Sequence, residues 1–411
     1  MSEREATCQS HLSADSIVKE SFQARLERPT ELEIYKHQRL DTSTDDIRLL
    51  KLSRETNGPV HCEVKVFSFE CAPEYIALSY RWDPPSPLHD LYIEGKKLKI
   101  RDILNSCLLE LREDLEEWLW IDQVCVAQED TLERNHQVGM MSRIYRNSMS
   151  VIIWMGDIPL AASGEHDLYN DSDLDIVSAR VLLKNTYFTR LWTCQEVFLA
   201  SSINIRINGH RCVTWERFTS LYLSDLEVDP STLIPTYLMI NTTRWPQPWV
   251  LEPYLPLTDC IRALHMGICE NPRDKVYGLM GMVREEERVV VDYEKSVLEV
   301  YLDCMHVIMT KELPSDLNSR AELKLAAGCN FTLAQSMGIR VDLLLGVLRL
   351  MTNRFTVHKN DMVTAIGFEE AGQAHEQHHW WYECSGERHH FCCQLLSDSE
   401  YSEISNFMEW N

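Results

Sequence analysis

The sequence predicts an α/β fold, a doubly wound parallel sheet followed by a largely helical C-terminal region. Three observations carry that expectation. Near-continuous apolar runs recur at YIALSY (75–80), WLWID (118–122) and VIIWMG (151–156), as strands buried on both faces require. Between them lie segments whose apolar residues return at helical spacing, over roughly 102–115 and 131–147. Strands alternating with helices in this way make a sheet with both faces covered.

The elements follow in order. IRLLKL (47–52) and VKVFSF (64–69) read as short strands separated by the turn-prone ETNGP. YIALSY ends abruptly in RWDPP, where Pro84 and Pro85 prevent a strand from continuing. LYIEGKKLKI (91–100) reads as a hairpin around Glu94-Gly95, and the helix after it places Ile103, Leu104, Leu108 and Leu111 on one face. The next helix sets Val138, Met141, Ile144 and Tyr145 at helical spacing, and Gly156 closes VIIWMG. An acidic loop (162–175) precedes a helix carrying RLWTCQEVF (190–198). INIRINGHRCVTW (203–215) predicts a hairpin around Asn208-Gly209, with Thr214 capping a helix that begins WERF. The proline-rich 246–258 reads as a wrapping loop or boundary, helices dominate from about 258 to 350, and the last stretch is mixed.

A chain of 411 residues, 45% hydrophobic, has enough apolar material for a large core. Its formal charge of −23 excludes non-specific attraction to nucleic acid or anionic lipid. No run reaches the apolar length of a membrane span, and MSEREATCQSHLSADS lacks the basic start and apolar block of a secretory signal. The 14 scattered cysteines then read as reduced, mostly buried thiols, and the expected location is cytoplasmic.

In an open α/β sheet, ligands collect beyond the carboxyl ends of the strands. Those ends carry Ser79, Tyr80, Arg81 and Trp82, then Asp122 and Gln123, then Gly156 and Asp157. RLWTCQEVF fits beside this rim. On a helix, Phe188, Leu191, Gln195 and Phe198 share one face, while Trp192 and Glu196, four apart, lie on an adjacent one. From the residues alone two readings stand. Trp192 and Glu196 form a ring and a charge presented to a ligand, or Arg190 pairs with Glu196 or Asp122 as a structural ion pair and Gln195 satisfies a loop carbonyl.

YIALSYRW, WLWIDQVCVAQED, ERNHQVGMMSRIYRNSMSVIIWMG and YFTRLWTCQEVFLA, in this order, resemble the fungal heterokaryon-incompatibility (HET) domain. IRLLKL, LYIEGKKLKI, NPRDKVYGLMGM and VDY (291–293) extend the resemblance over about 36–305. The pattern departs at Asp83, where the family has Gly, and at Ala127, where it has Asn. The resemblance implies a role in non-self recognition and cell death. It also implies a flavodoxin-like fold similar to Toll/interleukin-receptor (TIR) domains. On that likeness Glu196 matches the glutamate with which TIR enzymes cleave NAD, as an NAD glycohydrolase. NAD is then a candidate substrate, and no cofactor is required. A carboxylate beside the ribose would stabilise the oxocarbenium-like charge that develops as nicotinamide leaves. Trp82 or Trp192 would stack on a ring and Arg81 or Arg190 hold the pyrophosphate, with Ser79, Tyr80, Asp122 and Gln123 lining the site. The implied partners are a second copy or another incompatibility protein, or a small-molecule ligand. A non-catalytic scaffold and a HET fold repurposed as a small-molecule enzyme are the alternatives.

The expected organisation is an N-terminal extension (1–35), partly disordered, a HET α/β core (36–200), an associated hairpin, loop and helices (201–305), and a C-terminal helical and mixed region (306–411). Two weaker signals remain. Cys194 and Cys125 invite a thiol-nucleophile reading with His136 or His210 as base, but their apolar neighbours fit plain buried thiols. The tail HEQHHWWYECSGERHHFCC (375–393) supplies His375, His379, Cys384 and Cys392 among other zinc-ligand types, at spacings that match no standard finger, so no metal is expected. NPRDKVYGL (271–279) reads as a helix start, with Asn271 as cap and Pro272 at the first helical position.

Overall fold

The computed structural model describes residues 33–54, 57–82, 84–156, 179, 181, 182, 184–207, 211–224, 254–312, 320–340, 343, 344, 347, 368–374, 377–384 and 387–393. Outside the described residues lie 1–32 of the N-terminal extension, Asp83, Asp157, the acidic loop, the Asn208-Gly209 turn, 246–253 of the proline-rich segment, and His375.

β1 (Asp46–Leu52) and β2 (His61–Ser68) pair antiparallel over their whole length. β3 (Tyr75–Tyr80) follows, then β4 (Leu88–Ile93) and β5 (Lys96–Arg101) as a hairpin. Its turn residues Glu94 and Gly95 both take positive φ, 50° and 79°, as a two-residue turn matched to strand twist demands. α1 (Asp102–Asp114) buries Leu104, Cys107, Leu108 and Leu111. β6 (Trp118–Trp120) is short because the chain turns into a helical turn at Asp122–Cys125. α2 (Thr131–Asn147) starts where the Asp130 carboxylate accepts from the backbone N–H groups of Leu132 and Glu133, 3.1 and 3.2 Å away. It leads to β7 (Ser150–Trp154).

RLWTCQEVF is helical only in part. Thr186–Thr189 form a 3-10 turn, and α3 covers Trp192–Phe198, so Phe188 does not share its face. β8 (Ile203–Ile207) and β9 (Arg211–Thr214) form the expected hairpin, and the Thr214 hydroxyl accepts from the Arg217 N–H (3.3 Å) at the start of α4 (Trp215–Ser224). Beyond it come α5 (Leu257–Leu264), a helical turn at Asp274–Tyr277, α6 (Val297–Val307), a π-helical turn at Ile308–Glu312, and α7 (Arg320–Met337). Ser296 and Glu299 close a reciprocal capping box on α6. β10 (Phe368–Ala374), β11 (Gln377–Cys384) and β12 (Glu387–Cys393) make a separate antiparallel sheet.

The large sheet corrects the expectation of a parallel one. Its nine strands run β5-β4-β2-β1-β6-β3-β7-β8-β9, and its parallel pairings are the central run β6-β3-β7-β8 and, apart from it, β2–β4. Short turns force antiparallel pairs at β1–β2, β4–β5 and β8–β9, and β1 meets β6 antiparallel. The sheet therefore continues past residue 200. Every residue of β3 and β7 is buried, so the middle of the sheet is covered on both faces. Successive side chains of β3 leave opposite faces. Tyr75 reaches the Ile144 carbonyl of α2 (2.6 Å), whereas Tyr80 lies near Cys107 of α1.

One buried ion pair ties this core to the loop before α2. Arg48 of β1 and Glu133 of α2 meet through two hydrogen bonds, Nη1 to Oε1 (2.5 Å) and Nη2 to Oε2 (2.8 Å), with each side chain 1% exposed. Arg48 also donates to the Cys125 carbonyl (3.0 Å), and Ala127 N–H donates to Glu133 (2.7 Å). The loop from Asp122 to Asp130 is thus anchored from beneath.

Candidate functional site

The pleat of β3 divides the predicted rim. On one face the Ser79 hydroxyl donates to Glu196 Oε2 of α3 and shares a 2.6 Å hydrogen bond with the Tyr187 hydroxyl. Ser79, Tyr187 and Glu196 are all buried. Burial pushes the Glu196 carboxyl up to about 7, the Arg190 charge and the Ser79 hydrogen bond oppose that rise, and the Asp122 charge adds to it. The Tyr187 hydroxyl is pushed up by the same burial. A carboxyl poised near neutrality on a hydroxyl partner can hold or release a proton at working pH.

On the other face the Tyr80 hydroxyl donates to Gln123 Oε1 (3.3 Å). The Trp82 indole N–H donates to Asp122 Oδ2 (2.9 Å), and the Gln123 N–H donates to Asp122 Oδ1 (2.7 Å). The Arg101 guanidinium lies 4.6 Å from the Trp82 ring centroid, a cation–π contact on the indole face. Burial raises the Asp122 carboxyl against the pull of the Arg190 charge. Arg81, exposed, donates to the Thr186 hydroxyl (2.6 Å).

Arg190 bridges the two faces. Its guanidinium donates to the Tyr80 carbonyl at the end of β3, and its charge draws both Asp122 and Glu196 toward ionisation. The structural alternative of an Arg190 ion pair with Glu196 or Asp122 takes this indirect form.

The Trp192 indole is hydrogen-bonded to the Asp274 turn rather than to Glu196. Its N–H donates to Asp274 Oδ2 (3.0 Å), and the Tyr293 hydroxyl donates to Asp274 Oδ1 (2.7 Å). Two backbone bonds beside it, Leu191 N–H to the Ile268 carbonyl (2.9 Å) and Ile268 N–H to the Thr189 carbonyl (2.7 Å), join the start of α3 to the 267–278 segment. Gly267 permits that approach, since a Cβ there would come within 2.9 Å of the Leu191 side chain. In NPRDKVYGL the Arg273 N–H donates to Asn271 Oδ1 (3.1 Å), but the helical turn begins at Asp274 with Arg273 as its N-cap, so Pro272 is not the first helical position. Sequence reasoning did not foresee Tyr187, Asp274 or Tyr293 as partners. Tyr187 stood beside RLWTCQEVF, but nothing local pointed from Trp192 to residues 274 and 293.

The thiols read as packing. Burial pushes Cys194 and Cys125 up to about 12, so neither is a thiolate near neutrality. His136 lies 3.9 Å from Asp45 rather than beside either thiol, and His210 is outside the described residues. In the tail, backbone register sets His379 opposite Cys392 and Cys384 opposite Glu387. Among the described residues no three His, Cys, Asp or Glu side chains group to hold a metal, and no helix is long and apolar enough to cross a membrane.

Two surface hollows, of about 530 and 320 Å³, take no lining from Ser79, Tyr80, Asp122 or Glu196. Gln195, next to Glu196, lines the larger one.

No solved structure matches the chain. It is 24% identical, over 359 aligned positions, to heterokaryon incompatibility protein 6, OR allele, of Neurospora crassa. That alignment covers 66% of this chain and 52% of the relative, so the chain spans about half the length of the curated protein it matches. Residues 75–196, from the first residue of β3 to Glu196, match the family model of the heterokaryon incompatibility protein (HET).

Proposed function

We propose that this protein acts in fungal heterokaryon incompatibility, as a module for non-self recognition and the cell death that follows, through self-association or contact with another incompatibility protein. The observation that supports this reading most is the family match, which begins at β3 and closes at Glu196, the two elements whose side chains meet at Ser79. The Ser79–Glu196–Tyr187 cluster then serves as the buried joint of a TIR-like scaffold, locking α3 onto the central strand.

A second reading is favoured by one observation. Glu196, raised to about 7 with the Arg190 and Asp122 charges close by, has the protonation range of an acid or base in glycosidic-bond cleavage, and NAD is the substrate the TIR likeness suggests. In that reading Arg190, whose charge reaches both faces, would hold the pyrophosphate beside Glu196.

Inducible expression in paired fungal strains tests both, with growth arrest, dye uptake and NAD content as readouts for the native chain and for Glu196→Ala. Death without NAD loss, unchanged by Glu196→Ala, supports the scaffold. Death with NAD loss that Glu196→Ala abolishes supports catalysis, and purified protein would then consume NAD. Strains that fuse and grow normally in every pairing would remove the incompatibility role.

A further inference from the structure

Tyr254 carries two guanidinium groups. Arg146, in the last turn of α2, lies 5.0 Å from the ring centroid and donates to the Tyr254 hydroxyl, and Arg288 lies 4.9 Å from the same centroid. Two like charges gathered at one ring make a local positive field. Among the described residues no carboxylate pairs with either, whereas Arg143 and Arg284, a few positions earlier in the chain, are paired with Asp45 (2.6 Å) and Glu287 (3.4 Å). In a chain of formal charge −23 acids are in excess, so two cations left without one are an exception.

Arg288 is fixed from behind and open in front. Its Nε–H donates to the Val283 carbonyl (3.0 Å), and its guanidinium rests on the Tyr254 ring. Its two Nη groups make no hydrogen bond, and neither is closed off from solvent. This arginine forms part of the wall of the 530 Å³ hollow between α2 and the 277–291 segment, a volume in the range of small-molecule sites. Much of the remaining wall is aliphatic. Val138, Met280, Val289 and Val291 line it, together with Leu132 and Val290, which are 52% and 78% exposed and so among the few large apolar side chains left in water.

The other ionisable groups of the wall do not cancel Arg288. Asp45 is spent on Arg143 and lies 3.9 Å from His136, the second basic group lining the hollow. The Tyr277 hydroxyl donates to the Asp292 carbonyl (2.8 Å). The charge left uncompensated on this wall is therefore positive, and Arg146 at the same ring adds to it.

We propose that the hollow binds a small amphipathic anion, with its anionic oxygens on the Arg288 Nη donors and its apolar body against Val138, Met280, Val290 and Leu132. A guanidinium receives such oxygens through paired N–H groups. A cation would be repelled there, and a wholly polar anion would leave the aliphatic wall uncovered. The site is separate from the Ser79–Glu196 cluster and does not depend on how that cluster works.

The probe is 4-phenylbutyrate, with 4-phenylbutyramide, uncharged and of similar shape, and 4-phenylbutylamine, its cationic counterpart, as controls. Affinities for the full chain are read by ligand-observed nuclear magnetic resonance at low ionic strength. Saturable binding of the butyrate is expected, about tenfold tighter than the amide, with the amine weaker than both. Arg288→Met keeps an apolar chain over Tyr254 and should bring the butyrate to the level of the amide. Val290 is exposed, so changes there leave the fold intact. Val290→Lys should tighten the butyrate about threefold and Val290→Asp weaken it about threefold, with the amide unmoved. Four results would overturn the proposal: no saturable binding of the butyrate at millimolar concentration, butyrate and amide bound alike by the native chain, butyrate affinity unchanged in folded Arg288→Met, or butyrate affinity unchanged by both Val290 variants.

Discussion

The Trp192 indole N–H donates to the Asp274 carboxylate, 3.0 Å away and 82 positions on in the chain. Asp274 is buried and receives the Tyr293 hydroxyl on its other oxygen (2.7 Å). Because burial raises this carboxyl and the two donors hold it down, each donor carries part of the charge. Trp192→Phe keeps most of the ring and deletes one donor. A loss of about 1–3 kcal/mol in urea unfolding is expected, with faster amide exchange over 267–293. A stability unchanged within about 0.3 kcal/mol would show that the bond carries nothing.

Glu196 makes stability depend on pH. The carboxyl titrates near 4.5 when unfolded and about 7 when folded, so between these values the native state keeps a proton that the unfolded state has lost. Its contribution is therefore complete below about 4.5 and is lost as pH rises through 7, amounting to about 3 kcal/mol for a shift of this size. Glu196→Gln keeps an oxygen for the Ser79 hydroxyl and removes the titration. Urea midpoints at pH 5 and pH 8 should differ less in this variant than in the native chain.

Glu312 is a second, independent source of the same slope. Its carboxylate accepts from the Thr258 N–H (3.0 Å) and hydroxyl (2.5 Å) at the start of α5, where Glu287 receives the Leu257 N–H (2.9 Å). Burial pushes Glu312 up to about 7, the Thr258 hydrogen bonds oppose this, and the Glu287 charge adds to it. Stability again falls from about pH 4.5 toward 7. Glu312→Gln should flatten this part, and combined with Glu196→Gln the two effects should add, since the side chains share no hydrogen bond. A double variant as steep as the native chain would place the slope elsewhere.

Arg48→Met leaves Glu133 buried with its charge uncompensated. A cost of about 3–5 kcal/mol is expected, and Arg48→Met with Glu133→Leu should recover most of it, because paired removal leaves no orphan charge. Denaturant midpoints of the two single variants and the double decide this. A double variant no better than its singles would mean that the Cys125 and Ala127 contacts, not the ion pair, hold the loop.

The local elements were legible in the sequence because short-range geometry sets them. Continuous apolar runs gave β3, β6 and β7. Thr214 marked a helix start, and Glu94-Gly95 marked a turn that needs positive φ. The gathering of Ser79 and Glu196 was also legible, through a strand end and a motif that travel together in one family.

What the chain order could not express was decided by the tertiary structure. Spacing put Trp192 four residues from Glu196, yet its indole N–H is spent on Asp274, a buried carboxylate 82 positions on. Ser79 and Tyr80 are neighbours in sequence, and the pleat sent them to opposite sides of the sheet. Gln195 gave no sign that its amide nitrogen would be buried without a partner. The reason is common to all three. Hydrogen-bond satisfaction and burial are settled by what packs against a residue, and for these residues that is material from other strands and from segments dozens of positions away.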